Sequence, residues 1–358
     1  VSMKKIAFAI PGDIETPTGG YIYDRRIIEG LRALGWQVEL VRLGEGFPFP
    51  DTATLAAAQR TLNAIAAGCP VLIDGLALGV MPEIARQLAQ THPLIALVHH
   101  PLALEAGLSL EQAELFKQSE TEALSHVSQL FVTSPATART LIAEFGIDAS
   151  QVHVVLPGTD RAKAATTDHP ASETSDSKLR LLSVGTITPR KGFDVLMESL
   201  ALVKDLPWEL TIAGDQTRDA HAPLRLAQDL ERFGLRDRVS LLGAVSAPVL
   251  ESLYLKADVF ALASRYEGYG MAFAEALAHG IPVIATTGGA IPETVPVTAG
   301  ILVEPDNAVA FAQALRQVMT DAPLRKALAQ GALAAARNQP DWSQSAETFS
   351  AVLQSFLF

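Results

Sequence analysis

Residues 264–289 read SRYEGYGMAFAEALAHGIPVIATTGG. A β-branched run, VFALAS, leads into a turn, Glu267-Gly268-Tyr269-Gly270. An alanine-rich apolar segment follows, and then a second run, IPVIATTG. Strand, turn, helix and strand in that order belong to a parallel sheet with crossover helices. Gly268 and Gly270 lack Cβ atoms, so backbone there can approach a ligand closely. The helix that follows offers unpaired N–H groups and the positive end of its dipole, a ready anion site. Glu275 is the only acid between Met271 and His279. A carboxylate in a helix apolar on nearly every side is costly to bury without partners, which must come from the protein or from a ligand. Two readings stay open here. Glu275 merely complements the dipole while Glu267 is a surface turn residue, or both face a ligand.

The same alternation extends outward through all 358 residues. Strand candidates in the first half are KIAFAI, QVELVRL, PVLIDG, IALVHH, QLFVTS and VHVVLPG, with helical patterns at 22–34, 52–67, 111–125 and 136–145. The second half repeats the plan with LRLLSVGT, WELTIAGD, RVSLLGA, DVFALAS, IPVIATTG and GILVEP. Continuous apolar strands separated by helices predict parallel sheets covered on both faces. The chain is too long for one ordinary core. It therefore reads as α/β with two doubly wound, Rossmann-like domains, 1–165 and 178–340. The polar segment 160–178 forms a linker, and a last helix at about 342–358 packs back near the first domain. Ligands in such folds bind at the carboxyl ends of the strands, and a cleft between domains is a favoured place.

Composition excludes several classes. Hydrophobic residues make up 49% and charged residues 19%, and no apolar run is long enough to span a bilayer. The opening MKKIAFAIPGDIE has too short an apolar core for a signal peptide and reads as a first strand. Cys69 is the sole cysteine, which fits a reducing compartment, so a cytoplasmic protein is expected. A net charge of −11 argues against a nucleic-acid binder. The stretch 102–127 sets Glu105, Glu111, Glu114, Glu120 and Glu122 against Lys117, so strong binding to anionic membrane is not expected.

Other motifs are individually weak. In SVGTITPRKGFDVLMESL (183–200), a strand ends at Gly185 and Arg190-Lys191 precede a helix. Paired cations there suit a diphosphate, although one Arg-Lys pair is usually a solvated turn. PGDIETPTGGYIYDRRIIEGL (11–31) closes on Gly19-Gly20 before a helix, without Gly-x-Gly-x-x-Gly or a P-loop lysine. His99 and His100 end a strand, where successive side chains face opposite ways, which disfavours a two-histidine metal clamp. A strict Asp-x-Asp is absent, Asp13-Ile14-Glu15 is a poor substitute, and no Cys/His cluster suggests zinc.

Together these pieces resemble the family-4 retaining glycosyltransferases of the GT-B fold, most strongly from Leu181 to Pro305. Glu267 and Glu275, with seven residues between them, match that family's paired-glutamate motif. The resemblance implies transfer of a hexose from a UDP- or GDP-linked donor to the hydroxyl of a glycan or small-molecule acceptor. Configuration would be retained, with no metal and no cofactor. It places Glu275 on the ribose, Glu267 beside the sugar, and Lys191, helped by Arg190, on the diphosphate. Gly185 belongs to the first phosphate turn. Backbone of Gly268, Tyr269, Gly270 and Met271 would hold phosphate and sugar. Gly19 and Gly20 would cover the diphosphate, His99 would touch the sugar, and Val245 would lie near the base. Thr186 stands where the family usually has arginine, so Arg190 is the substitute. A non-hydrolysing epimerase and a catalytically idle sugar-nucleotide binder are the rival readings. A nicotinamide oxidoreductase lacks its glycine signature.

Overall fold

The computed structural model describes residues 4–160 and 178–357. The segment read as a linker lies outside the described residues except at Asp160 and Lys178. Two compact units are formed, one by Val1–Gly158 with Pro340–Phe358 and the other by Thr159–Gln339.

The first unit holds β1 (Lys5–Ile10), β2 (Gln37–Arg42), β3 (Val71–Asp74), β4 (Leu94–Val98), β5 (Gln129–Val132) and β6 (Val152–Val154). They form one parallel sheet in the order β2-β1-β3-β4-β5-β6. Ile6 to Ile10 and Leu94 to Val98 are buried throughout, because helices cover both faces and leave no side to alternate toward water. The helix Gly19–Ala33 buries Tyr23, Asp24, Ile27, Ile28 and Leu31, a stripe at helical spacing that happens to include an acid. The helix Trp342–Leu357 packs against it. Phe349 stacks on Phe131 of β5 with ring centres 3.9 Å apart, and Trp36 Nε1 donates to Ser350 Oγ at 2.8 Å.

The second unit holds β7 (Leu179–Val184), β8 (Trp208–Ala213), β9 (Val239–Leu241), β10 (Val259–Ala261), β11 (Val283–Thr286) and β12 (Gly300–Val303). Its order, β12-β11-β10-β7-β8-β9, is again all parallel. All twelve expected strands form, and the fold class is as read from the sequence. Several are shorter than their apolar runs. The run VFALAS leaves the ladder after Ala261, although Leu262 and Ala263 stay fully buried. Two short helices, Gly75–Leu78 and Pro82–Leu88, were not foreseen, since neither is long enough to show a period.

Each sheet has a switch point where the chain reverses its direction of winding, between β1 and β3 in one and between β7 and β10 in the other. In open sheets of this kind ligands bind at such points, beyond the carboxyl ends of the strands. In the second sheet the turns after β7 and β10 meet at Gly192. Its φ is +63°, and a Cβ at this position would overlap the Ala263 carbonyl. Gly192→Ala should therefore destabilise the protein by about 2–3 kcal/mol, combining left-handed strain with overpacking. Gly35→Ala is the control, because φ is +85° there but nothing lies within 4 Å. Denaturant midpoints should separate the two, and equal losses would remove the packing role of Gly192.

Candidate functional site

At the switch point of the second sheet stands Glu267, only 5% exposed. Lys191 Nζ donates to its Oε1 at 2.6 Å, Arg190 Nη1 to Oε2 at 3.0 Å, and Ser264 Oγ to Oε1 at 2.7 Å. The reading of Glu267 as a surface turn residue is thus overturned, and so is the reading of Arg190-Lys191 as a solvated turn. Local structure fixes the group. The Glu267 carbonyl accepts from Ala290 N at 2.8 Å, Arg190 also donates to the Tyr266 carbonyl, and the Lys191 stem lies over Gly185. Arg265 laces the two turns together, pairing with Asp194 and Asp306 at 2.7 Å each.

Burial alone would raise the Glu267 carboxyl, but Lys191 and Arg190 outweigh it and hold it at about 2 rather than its ordinary 4.5. A depressed carboxyl contributes stability that is present above its unfolded value and lost as pH falls through the folded one. Stability should therefore drop between pH 4.5 and 2, and Glu267→Gln should flatten that slope. Guanidinium titrations at stepped pH would show it. An unaltered slope in the variant would mean that the pairing contributes nothing.

Glu275 sits on the helix Met271–Ala278, half-buried. Tyr254 Oη donates to its Oε2 at 2.7 Å, so the protein itself supplies one partner for this acid. No donor reaches Oε1 among the described residues. Burial raises the Glu275 carboxyl, against the pull of Tyr254 and of His279. Behind it the Tyr254 ring stacks on His279 at 4.9 Å, and His279 bonds the Glu275 carbonyl through Nδ1 and Glu251 through Nε2. Tyr254 was missed because no local signal links residues on different helices. Gly268, Tyr269 and Gly270 form a buried turn, and the Tyr269 carbonyl is held by Thr294 Oγ1 at 2.6 Å. The helix then opens at Met271 with no side-chain cap. Val245 stands apart, half-buried on the loop after the edge strand β9.

In the first unit, Gly19 and Gly20 open an uncapped helix after β1, and His99 follows β4. His99 packs against Gly20, and its Nε2 lies 3.1 Å from Asp24 Oδ1 and 3.4 Å from Asp74 Oδ2. His100 pairs instead with Glu105 at 3.1 Å. Neither aspartate was singled out from the sequence, although Asp24 occupies the apolar stripe of its helix and Asp74 ends a buried strand. Asp24, Asp74 and His99 are the one group among the described residues whose metal-type donor atoms fall within 4.8 Å of one another. The imidazole nitrogen in question is, however, already hydrogen-bonded to carboxylate. Asp13 and Glu15 are not poised for a cation either, since they pair with Arg42 and Arg25. Glu120, read as a surface acid, is fully buried. Its Oε2 accepts from Leu102 N, and burial pushes the carboxyl up to about 8. The helix Leu110–Leu124 is correspondingly less acidic on its surface than its composition indicates, and it exposes Leu110 and Leu115.

Residues 165–334 match the family described as glycosyl transferases group 1. A D-inositol 3-phosphate glycosyltransferase of Xylanimonas cellulosilytica is 31% identical over 241 residues, covering 63% of this chain and 57% of that protein. The chain spans about half the length of the curated relatives it matches, from 38% to 63% for the first three. Among solved structures, sucrose-phosphate synthase from Thermosynechococcus elongatus superposes with a TM-score of 0.82 at 22% identity, covering 98% of both chains. Anabaena HepE, solved with UDP and glucose, gives 0.73 at 20% identity, covering 99% of this chain and 100% of that one. The fold is therefore GT-B.

Proposed function

We propose that this chain, whose residues 165–334 match the group 1 glycosyltransferases, moves a hexose from a nucleotide diphosphate sugar to an acceptor hydroxyl, with retention and without a metal. The Glu267–Lys191–Arg190 trio at the switch point carries the reading. A diphosphate leaving group gains negative charge as the glycosidic C–O bond breaks, and fixed cations at that point stabilise the transition state more than the ground state. The trio bears one net positive charge before any ligand arrives. Its carboxylate holds the Lys191 ammonium in place, so less reorganisation is needed at the moment of reaction. The uncapped amides at Met271, with Gly185 and Gly268 to Gly270, would take phosphate and sugar oxygens. Glu275 has one carboxylate oxygen spoken for by Tyr254 and the other available to ribose hydroxyls. Val245 would flank the base, and Gly19, Gly20 and His99 would serve diphosphate and sugar from the first unit.

Since HepE was solved with UDP and glucose, UDP-glucose is the first donor to try. Thermal-shift measurements with UDP, GDP and ADP test the site. A ligand at a hundred times its Kd stabilises by about 2.7 kcal/mol, and no shift with any of the three would reject it. Transfer should survive EDTA with little loss. A collapse restored only by manganese or magnesium would show that the cations of the trio do not hold the diphosphate unaided. No helix among the described residues is long and apolar enough to cross a membrane. A soluble acceptor and a cytoplasmic setting complete the proposal, and strong co-sedimentation with anionic vesicles would contradict the acceptor class.

A further inference from the structure

Two buried carboxylates in the first unit, Asp24 and Asp74, remain without a role. Asp24 is fully buried on the crossover helix, and its Oδ2 has no hydrogen-bond partner. Asp74 is 3% exposed at the end of β3, with Oδ1 accepting from Leu76 N at 2.7 Å. Their remaining oxygens converge on one atom, His99 Nε2. No lysine or arginine pairs with either aspartate among the described residues. Two buried carboxylates that close repel one another, and a neutral imidazole would leave that repulsion uncompensated. The Tyr23 ring meets the imidazole edge-on at 5.4 Å, Gly20 backs it, and Thr133 holds the His99 carbonyl. The ring is thereby fixed with Nε2 turned inward. Yet the His99 side chain is still 20% exposed, and Nδ1 has no partner among the described residues.

We propose that Asp24 and Asp74 are positioning residues that keep His99 as an imidazolium, so that its Nδ1–H is a permanent, oriented donor to an oxygen of the sugar nucleotide. The role of that donor rests on the transferase reading above, whereas the charge state does not. Charge-assisted hydrogen bonds are about twice as strong as neutral ones, and a neutral ring with its proton on Nε2 would offer Nδ1 only as an acceptor. Burial pulls the imidazole toward neutrality, but Asp24 and Asp74 outweigh it and hold its pKa well above the ordinary range. Asp24 is itself pushed up, by burial and by Asp74. Tyr23, whose ring packs against the imidazole, is driven well above its ordinary value by burial and stays neutral.

The test uses the full chain labelled with 15N-histidine. Long-range proton–nitrogen spectra at pH 8 report the ring protonation directly, and the His99 signals are assigned by their loss in His99→Gln. An ordinary histidine is about 97% neutral at that pH, whereas His99 should be doubly protonated. In Asp24→Asn and Asp74→Asn it should titrate at lower pH, with melting curves confirming the fold. If Asp24→Asn does not fold, Asp74→Asn decides the point. A neutral His99 in the wild type, a signal unchanged in the Asn variants, or one equivalent of bound metal in the purified protein would each overturn the proposal. The kinetic arm is kcat/KM against pH. As pH rises from 6 to 8.5 the Asn variants should lose as much as about a hundredfold relative to wild type, following the fraction of protonated histidine. A protonated ring with unaltered pH profiles would remove the positioning role while leaving the transferase reading intact. If no sugar nucleotide is turned over, that reading fails, and the spectra still decide the charge.

Discussion

Lys191→Ala should lower kcat for sugar transfer by about a hundred- to a thousandfold, the usual consequence of removing one preorganised group aimed at developing negative charge. The same change should cost about 2–4 kcal/mol of stability. This lies at or below the lower end of the range of about 3–5 kcal/mol for breaking a buried pair, because Arg190 and Ser264 still hold Glu267. Two quantities therefore move together, and they are separable. Glu267→Gln keeps the shape and leaves both cations, so nucleotide affinity should stay near wild type while kcat falls. A Lys191→Ala protein that is destabilised but turns over at the wild-type rate would reduce the trio to a structural brace.

Glu275→Ala should raise the donor KM by about ten- to a hundredfold with a smaller change in kcat. Hydrogen bonds to a charged group contribute about 1.5–3 kcal/mol, and the ribose does not change during the reaction. Tyr254→Phe sharpens the test. It removes the hydroxyl that fixes Glu275 Oε2, so KM should rise by only about two- to tenfold, the worth of one ordinary hydrogen bond. Isothermal titration with free nucleotide should show the same ranking. If Glu275→Ala leaves both affinity and turnover intact, Tyr254 is this carboxylate's sole reason for being there.

Strand positions were plain in the sequence because buried parallel strands are written as unbroken apolar runs such as IALV, bounded by turn residues. Glu275 stands out because it interrupts an apolar helix, and Glu267 because it sits against the Gly268-Tyr269-Gly270 turn. What sequence alone could not give was pairing at a distance. Asp24 and Asp74 meet His99 from three different segments, and only the sheet order brings them together. Glu120 looked like one more acid in a row of acids, and its burial depends on the loop at Leu102 folding over it. The Glu267–Lys191 contact spans 76 positions and is made by two turns that each read as ordinary on its own.

The return of the helix Trp342–Leu357 to the first unit has a consequence for biosynthesis. Gly158 has no room for a Cβ because the Trp342 backbone lies against it, so the chain leaves and re-enters this unit at neighbouring points. The second unit, Thr159–Gln339, is one uninterrupted stretch and can complete itself on the ribosome. The first cannot. Phe131, Trp36 and Gly30 wait with bare surfaces for Phe349, Ser350 and Ala346, which at about 5–20 residues per second arrive roughly ten to forty seconds after Gly158. During that interval the first unit exposes the apolar surface that Phe349 and Ala346 later cover, the kind of transient exposure that favours aggregation, and a stop codon before the last helix would leave it uncovered.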